Sequence, residues 1–323
     1  MRFHALLLTR DDSDIVDECI LHSLGWCDAL YAFDTGSSDY TWERIHQWAA
    51  RDSRVVPIRK CEPAVLMSSS LRGFVFNLVR DKFEPGDWWV QQDVDEFYHV
   101  SPRQFVLERL RPTETAVYNQ HFEFRMTNDE VQRWQSGDEK VFDRTRPIAE
   151  LRRYYNILQH AEPRMFKFRS TMQWGPTASY PWNMGYVARE RIPIRHYPHR
   201  DPLSLQMRLI LRNHLLPVTV EKNWSHWAVN NWLDYVVPDD DPEIRYWPPG
   251  SELPYVLDYS HIRSPLIRLA QSSIHQFLLG VFDAVRPKYP EGYQPPVIPE
   301  GINAAAIKDL LRIRTAGLGS LRN

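Results

Sequence analysis

The stretch Asp87-Trp88-Trp89-Val90-Gln91-Gln92-Asp93-Val94-Asp95-Glu96-Phe97 decides how the chain is read. Pro85-Gly86-Asp87 turns the chain, Trp88 to Gln92 has the length and bulk of a buried strand, and the run stops at paired carboxylates. An Asp-x-Asp pair alone is common in solvated loops. At the end of a strand in a parallel α/β sheet it lies where such sheets bind ligands, beyond the carboxyl ends of the strands. Two carboxylates there suit a hard divalent cation, Mn²⁺ or Mg²⁺, able to bridge the phosphates of a nucleotide.

Working outward toward the N-terminus, apolar runs at Phe3 to Leu8, Ala29 to Phe33 and Arg54 to Arg59 predict three more strands. Helical periodicity separates them: Ile15, Val16, Cys19, Ile20 and Leu24 within Ser13 to Leu24, then Trp42, Ile45, Trp48 and Ala49 within Thr41 to Ala50. Leu71, Val75, Leu78 and Val79 are in phase within Leu71 to Phe83. This alternation predicts an α/β fold with a parallel sheet and helices on both faces. Three of the four strands end in carboxylates, at Asp11 and Asp12, at Asp34, and at Asp93 and Asp95. The turn Asp34-Thr35-Gly36-Ser37-Ser38-Asp39-Tyr40-Thr41 reads in two ways. Asp39 can cap the following helix, or Gly36 can let backbone approach a ribose or phosphate at that helix N-terminus.

Toward the C-terminus the pattern loosens after Pro102. Ala116 to Met126, Arg164 to Phe168 and Ile192 to Tyr197 read as strands, Thr127 to Arg146 as a polar loop or short helices, and Leu203 to Leu216 and Ile302 to Arg314 as helices. The expected division is a nucleotide-binding unit over 1–200 and a mostly helical, Trp-rich extension over 201–323. With 39 Lys+Arg against 41 Asp+Glu in 323 residues, the balance lacks the basic excess of a nucleic-acid partner. Charged residues at 25% and hydrophobic residues at 43% exclude disorder, collagen and coiled coil for the whole chain. Cys19, Cys27 and Cys61 form no disulfide framework and match no zinc spacing. The apolar run at Leu6 to Leu8 is short for a signal peptide, and no stretch reaches the roughly 18 apolar residues of a membrane span. A cytoplasmic protein is expected.

Three segments carry a family resemblance. Thr9-Arg10-Asp11-Asp12 resembles the Arg-Asn-Glu opening of family 2-like glycosyltransferases, with Asp11 and Asp12 in place of Asn-Glu. Asp34 to Thr41 resembles their Asp-x-Gly-Ser-x-Asp-x-Thr turn, and Trp88 to Phe97 their strand ending in Asp-x-Asp-Glu-Phe. The resemblance covers about residues 1–110. It implies a GT-A fold and a metal-dependent, inverting transfer of sugar from a nucleoside-diphosphate sugar to a hydroxyl of a glycan, a lipid-linked or another acceptor. By the same resemblance Thr9, Arg10, Asp12, Asp34 and Gly36 are expected around the nucleotide, Arg72 at the diphosphate, and Asp93 and Asp95 at the metal. His196-Tyr197-Pro198-His199-Arg200-Asp201 is similar to a downstream His-Tyr-Pro-x-Arg-Ser segment, which implies His196 as a third metal ligand.

The family's Glu-Asp base motif is not visible in this sequence. Asp129 is the candidate general base, with Glu123, Glu130 and Glu162 competing. Among the tryptophans, Trp174, Trp182, Trp224, Trp227, Trp232 and Trp247 are candidates to stack on acceptor sugars. Arg146, Arg152, Arg153, Arg164, Lys167 and Arg169 could form a basic region for an acidic glycan. Lys308, Arg312 and Arg314 on the closing helix could make a peripheral contact with the inner face of a membrane. The competing functional class is a non-catalytic nucleotide- or carbohydrate-binding protein that retains the fold.

Overall fold

The structure, a computed structural model, describes residues 1–68, 71–138, 146–176, 178–218, 231–254, 278–279, 281, 283–285 and 288–316. Its centre is four parallel strands, β1 (Phe3–Thr9), β2 (Ala29–Asp34), β3 (Val55–Lys60) and β4 (Trp88–Asp93), in the spatial order β3-β2-β1-β4. Their crossovers are α1 (Val16–Leu24), α2 (Thr41–Arg51) and α3 (Leu71–Val79), as the periodicity predicts. Alternation along β1 sorts the two layers. Phe3, Ala5 and Leu7 pack with Val16, Cys19 and Ile45 of α1 and α2, while Leu6 and Leu8 face Phe74 and Phe76 of α3. The fold is therefore mixed α/β, with a mainly parallel central sheet flanked by helices.

Beyond β4 the sheet turns antiparallel. A short strand β5 (Glu96–Tyr98) and a helix α4 (Pro102–Arg109), capped by Ser101, lead into the long strand β6 (Ala116–Thr127). Helices α5 (Asn128–Gln135) and α6 (Ile148–Leu151) precede strands β7 (Tyr154–Ile157), β8 (Pro163–Lys167) and β9 (Ile192–His196). Strand β8 lies between β4 and β6 and runs antiparallel to both. Past Tyr118, β6 leaves β8 and pairs instead with β9 and β7. Strand β9 is thus held between β5 and β6, and its register sets His196 opposite Glu96 on one side and Glu123 on the other. Sequence periodicity locates β6, β8 and β9 but not α4, β5 or β7. Those are short, and tertiary pairing rather than local pattern defines them.

The extension is not purely helical. After α7 (Pro202–Leu215), β10 (Val236–Val237) pairs with β6 and β11 (Arg245–Tyr246) with β7, before α8 (Glu300–Ala316). Leu310 and Ile313 of α8 pack on Leu203 and Met207 of α7, so the apolar face of the closing helix is already covered. Among the described residues no helix is long and apolar enough to cross a membrane. The tryptophans expected to meet sugar do structural work: Trp174, Trp232 and Trp247 are buried, and Trp174 stacks on Trp89, itself stacked on Phe166 at 4.3 Å. Trp182 is half-buried against Gly175, and Trp224 and Trp227 lie outside the described residues. Nor do the basic residues form one surface region, because Arg152 and Arg164 are buried and Arg169 pairs with Asp283.

Candidate functional site

The carboxyl ends of β1, β2 and β4 meet at one edge of the sheet. At the end of β1 the chain enters the left-handed region at Asp11 (φ 54°), among the described residues the only one besides glycine to do so. The turn is held by its own carboxylates. Thr9 Oγ1 and the Arg10 amide donate to Asp12 (3.1 and 3.0 Å), the Ser38 amide and hydroxyl donate to Asp11, and the Asp12 amide donates to Thr41 Oγ1. Burial raises the Asp12 pKa to about 7, although Arg200 and Arg208 pull it down.

At the end of β2, the amides of Gly36 and Ser37 donate to Asp34 Oδ1 at 2.8 and 2.6 Å, while Oδ2 is buried without a hydrogen-bond partner. Asp39 bonds the amide and hydroxyl of Thr41 at the start of α2, as the capping reading expects, and Gly36 sits at φ 116° where the backbone of Ala64 approaches closely. A Cβ on Gly36 would lie 2.4 Å from Ala64 Cβ and 2.7 Å from Ala64 Cα. Gly36→Ala is therefore expected to destabilise by about 1–3 kcal/mol, from left-handed strain and the forced shift of the Ala64 backbone. A chemical-denaturation midpoint unchanged from wild type would refute this.

Asp93 closes β4, and Asp95 lies in the turn to β5. Each carboxylate is met by two guanidinium groups. Arg72 on α3 donates to Asp93 Oδ2 at 2.5 Å and Arg164 on β8 donates to the same oxygen at 2.9 Å. Arg208 on α7 donates to Asp95 Oδ2 at 2.8 Å, with Arg200 Nη1 at 3.7 Å. Arg200 also ties Asp12 (3.1 Å) and Asp14 (2.7 Å), so it locks the end of β1 to the end of β4. Arg164 is 2% exposed and bridges Asp93, Glu96 (2.6 Å) and Glu162 (3.4 Å). Burial alone would raise both aspartate pKa values, and these cations hold Asp93 below and Asp95 well below the usual carboxylate range.

On the opposite side stands an imidazole and carboxylate network built by the β5-β9-β6 register. His196 lies 3.7 Å from Asp95 and 3.6 Å from Glu123, and stacks on His121, which bonds Glu96 at 2.8 Å. Burial disfavours charge on His196, but Asp95 and Glu123 raise its pKa to about 10. Glu123 also meets Arg125 (2.8 Å) and His199 (3.8 Å). Burial opposes its ionisation, yet His196, His199 and Arg125 hold it far below the ordinary range. His199 is pulled down to about 4 by burial, against the pull of Glu123.

The structure brings Thr9, Arg10, Asp12, Asp34, Gly36, Arg72, Asp93, Asp95 and His196 to this edge. It does not bring Asp129. That carboxylate is exposed on the first turn of α5, its amide donates to Asp239, and it lines a separate groove with Arg133, Arg153 and Tyr246. Helix α5 begins where β6 ends, and the site lies several residues earlier on β6, at Glu123. Glu130 is spent on the capping box at Thr127. Glu162 is at the edge, between Arg72 and Arg164.

Residues the sequence did not single out for this site are Arg164, Arg200, Arg208, Glu96 and His121, together with two from α8. Asn303 accepts from Arg10 (3.0 Å) and Arg314 donates to Asp11 (3.2 Å). The only local signal was Arg200, inside the His196 to Asp201 segment. Arg208 looks like any solvated helix cation until α7 docks.

A divalent cation needs oxygen or imidazole lone pairs converging on one point. Among the described residues no group of three or more His, Cys, Asp or Glu side chains is so placed. The Asp93 and Asp95 carboxylates face guanidiniums, and His196 faces two carboxylates as a cation. As arranged, Asp93, Asp95 and His196 do not form the expected ligand set.

No family model and no curated protein matches the chain. Solved structures to which the chain shows weak similarity include the mannosyltransferase PcManGT from Pyrobaculum calidifontis in complex with GDP-Man and Mn²⁺, at 13% identity and a TM-score of 0.28. The similarity covers 39% of this chain and spans only 36% of that one. A second is the CTP:phosphocholine cytidylyltransferase LicC from Streptococcus pneumoniae, at 10% identity and a TM-score of 0.26, covering 76% of this chain and 93% of that one. Both neighbours are transferases. Likeness at this level assigns no activity.

Proposed function

We propose that the chain is a glycosyltransferase that uses a nucleoside-diphosphate sugar and transfers the sugar to a hydroxyl with inversion. The observation that carries the reading is the placement of Asp12, Asp34 and the Asp93/Asp95 pair at the carboxyl ends of three parallel strands, β1, β2 and β4, with Arg72, Arg200 and Arg208 against them. Residues 1–200 would hold the donor and residues 201–323 would complete the site through Arg208 and Arg314. In this reading Thr9, Arg10, Asp12, Asp34 and Gly36 bind the nucleoside and Arg72 faces the diphosphate. Mn²⁺ or Mg²⁺ is implied by the resemblance alone, and Asp93, Asp95 and His196 as arranged do not form its ligand set.

Glu123 replaces Asp129 as the candidate base. It would take the proton of the acceptor hydroxyl as that oxygen attacks the anomeric carbon, while the bond to the nucleoside diphosphate breaks. The contacts of Glu123 favour the second reading, a nucleotide- or carbohydrate-binding protein, since a carboxylate held by the Arg125 guanidinium at 2.8 Å and flanked by His196 is a weak base. Incubation with a panel of UDP-, GDP-, CDP-, ADP- and dTDP-sugars, followed for release of nucleoside diphosphate, separates the two. Release from at least one donor supports the transferase. Binding without release supports the binding protein, and no binding at all would sink both.

A further inference from the structure

The acidic strand ends are already neutralised by arginine. Arg72 and Arg164 hold Oδ2 of Asp93 and Arg208 holds Oδ2 of Asp95, while Oδ1 of Asp93 is buried without a hydrogen bond among the described residues. A divalent cation shared by the two Oδ2 atoms would have to displace Arg72 and Arg208, and it would then lie beside Arg164, Arg200 and His196. Like charges at such distances in a half-buried site repel strongly. Arg164 and Arg200 cannot move away cheaply: their side chains are 3% exposed, and each is fixed by two further carboxylates, Glu96 and Glu162 for one, Asp12 and Asp14 for the other.

Arg72 and Arg208 are different. Their side chains are 19% and 20% exposed, so their outer N–H groups reach solvent at the mouth of the site. Behind them, Arg200 Nη1 lies 3.7 Å from Asp95 and Nε of the buried Arg10 3.6 Å from Asp11, and these groups and Arg10 Nη1 make no hydrogen bond among the described residues. Arg10, Arg200, Arg208 and Arg314 all line one small cavity of about 50 Å³ beside the end of β1. Buried guanidinium N–H groups without acceptors are costly, and anionic oxygens satisfy them best.

We infer that guanidinium groups take the place of a divalent cation in this protein. Arg72 and Arg208 hold the diphosphate of the nucleotide directly, while Arg164 and Arg200 behind them neutralise Asp93 and Asp95. Nucleotide binding is then independent of metal. This inference rests on the proposed nucleotide-binding reading and specifies its cation.

Calorimetric titration of the full chain with UDP, GDP, CDP, ADP and dTDP, each in EDTA and in Mn²⁺, tests it. At least one diphosphate should bind with the same affinity, within about twofold, in both buffers. Arg72→Gln and Arg208→Gln should each weaken that binding about tenfold or more, the scale of one charge-assisted hydrogen bond. Both positions are partly exposed, and circular dichroism with a thermal melt confirms that the variants fold. Mn²⁺ alone should not bind wild type. A nucleotide that binds only with Mn²⁺, or wild-type protein that binds Mn²⁺ by itself, overturns the inference and leaves the transferase reading standing. No binding of any diphosphate in either buffer removes the nucleotide site and both ideas together.

Discussion

Arg164→Met is expected to lower the unfolding free energy by about 3–5 kcal/mol, the scale found when one member of a buried ionic network is removed. Arg164 is 2% exposed and is the shared cation of Asp93, Glu96 and Glu162. Methionine fills most of the volume but leaves Glu96, 1% exposed, with only His121 against it. Much of the loss is therefore the cost of an uncompensated carboxylate rather than the worth of the original bonds. That distinction has a consequence. Adding Glu96→Gln to Arg164→Met should restore part of the lost stability, because the residual buried charge is gone. Urea denaturation at pH 7 measures both. A single-variant loss under about 1 kcal/mol, or a double variant less stable than the single, would refute the assignment.

The second large effect concerns Glu123. If Glu123 is the base, Glu123→Gln should reduce turnover of donor and acceptor by about 10²–10⁴-fold, the usual contribution of general-base help. Glutamine keeps the shape and one acceptor oxygen for His196 and Arg125, so donor binding should change little. Asp129→Asn, in the separate groove on α5, should leave turnover near wild type. Steady-state rates on whichever donor the panel selects decide it. Equal activity of the Glu123→Gln and wild-type enzymes would remove Glu123 from the chemistry, and a large loss in Asp129→Asn would return the base role to Asp129.

Local pattern carried far in the first hundred residues. The β-α-β order and the strands at Phe3, Ala29, Val55 and Trp88 were legible because each buried strand is a short apolar run and each crossover helix shows a 3.6-residue period. Asp34, Asp93 and Asp95 were legible for a related reason. A carboxylate at a strand terminus in such a sheet has its location set by connectivity alone.

Arg164 and Arg208 had no such signal, and Arg72 and Arg200 had only the family resemblance. The four come from β8, α7, α3 and the turn before α7, and no spacing in sequence links them. Asp129 failed as a candidate for the complementary reason. Its neighbours Thr127, Asn128 and Glu130 form a helix start, and the capping that makes the segment look polar and reactive also turns it away from the sheet edge.

By itself, then, the sequence determined the β-α-β succession of the first four strands and the acidic character of three of their ends, since both follow from short-range burial and chain connectivity. Which charges stand opposite those carboxylates was decided only by tertiary structure. Ion pairing between groups up to 303 positions apart, as between Arg314 and Asp11, depends on how β9, α7 and α8 dock. The same docking sets guanidinium groups against the acidic edge.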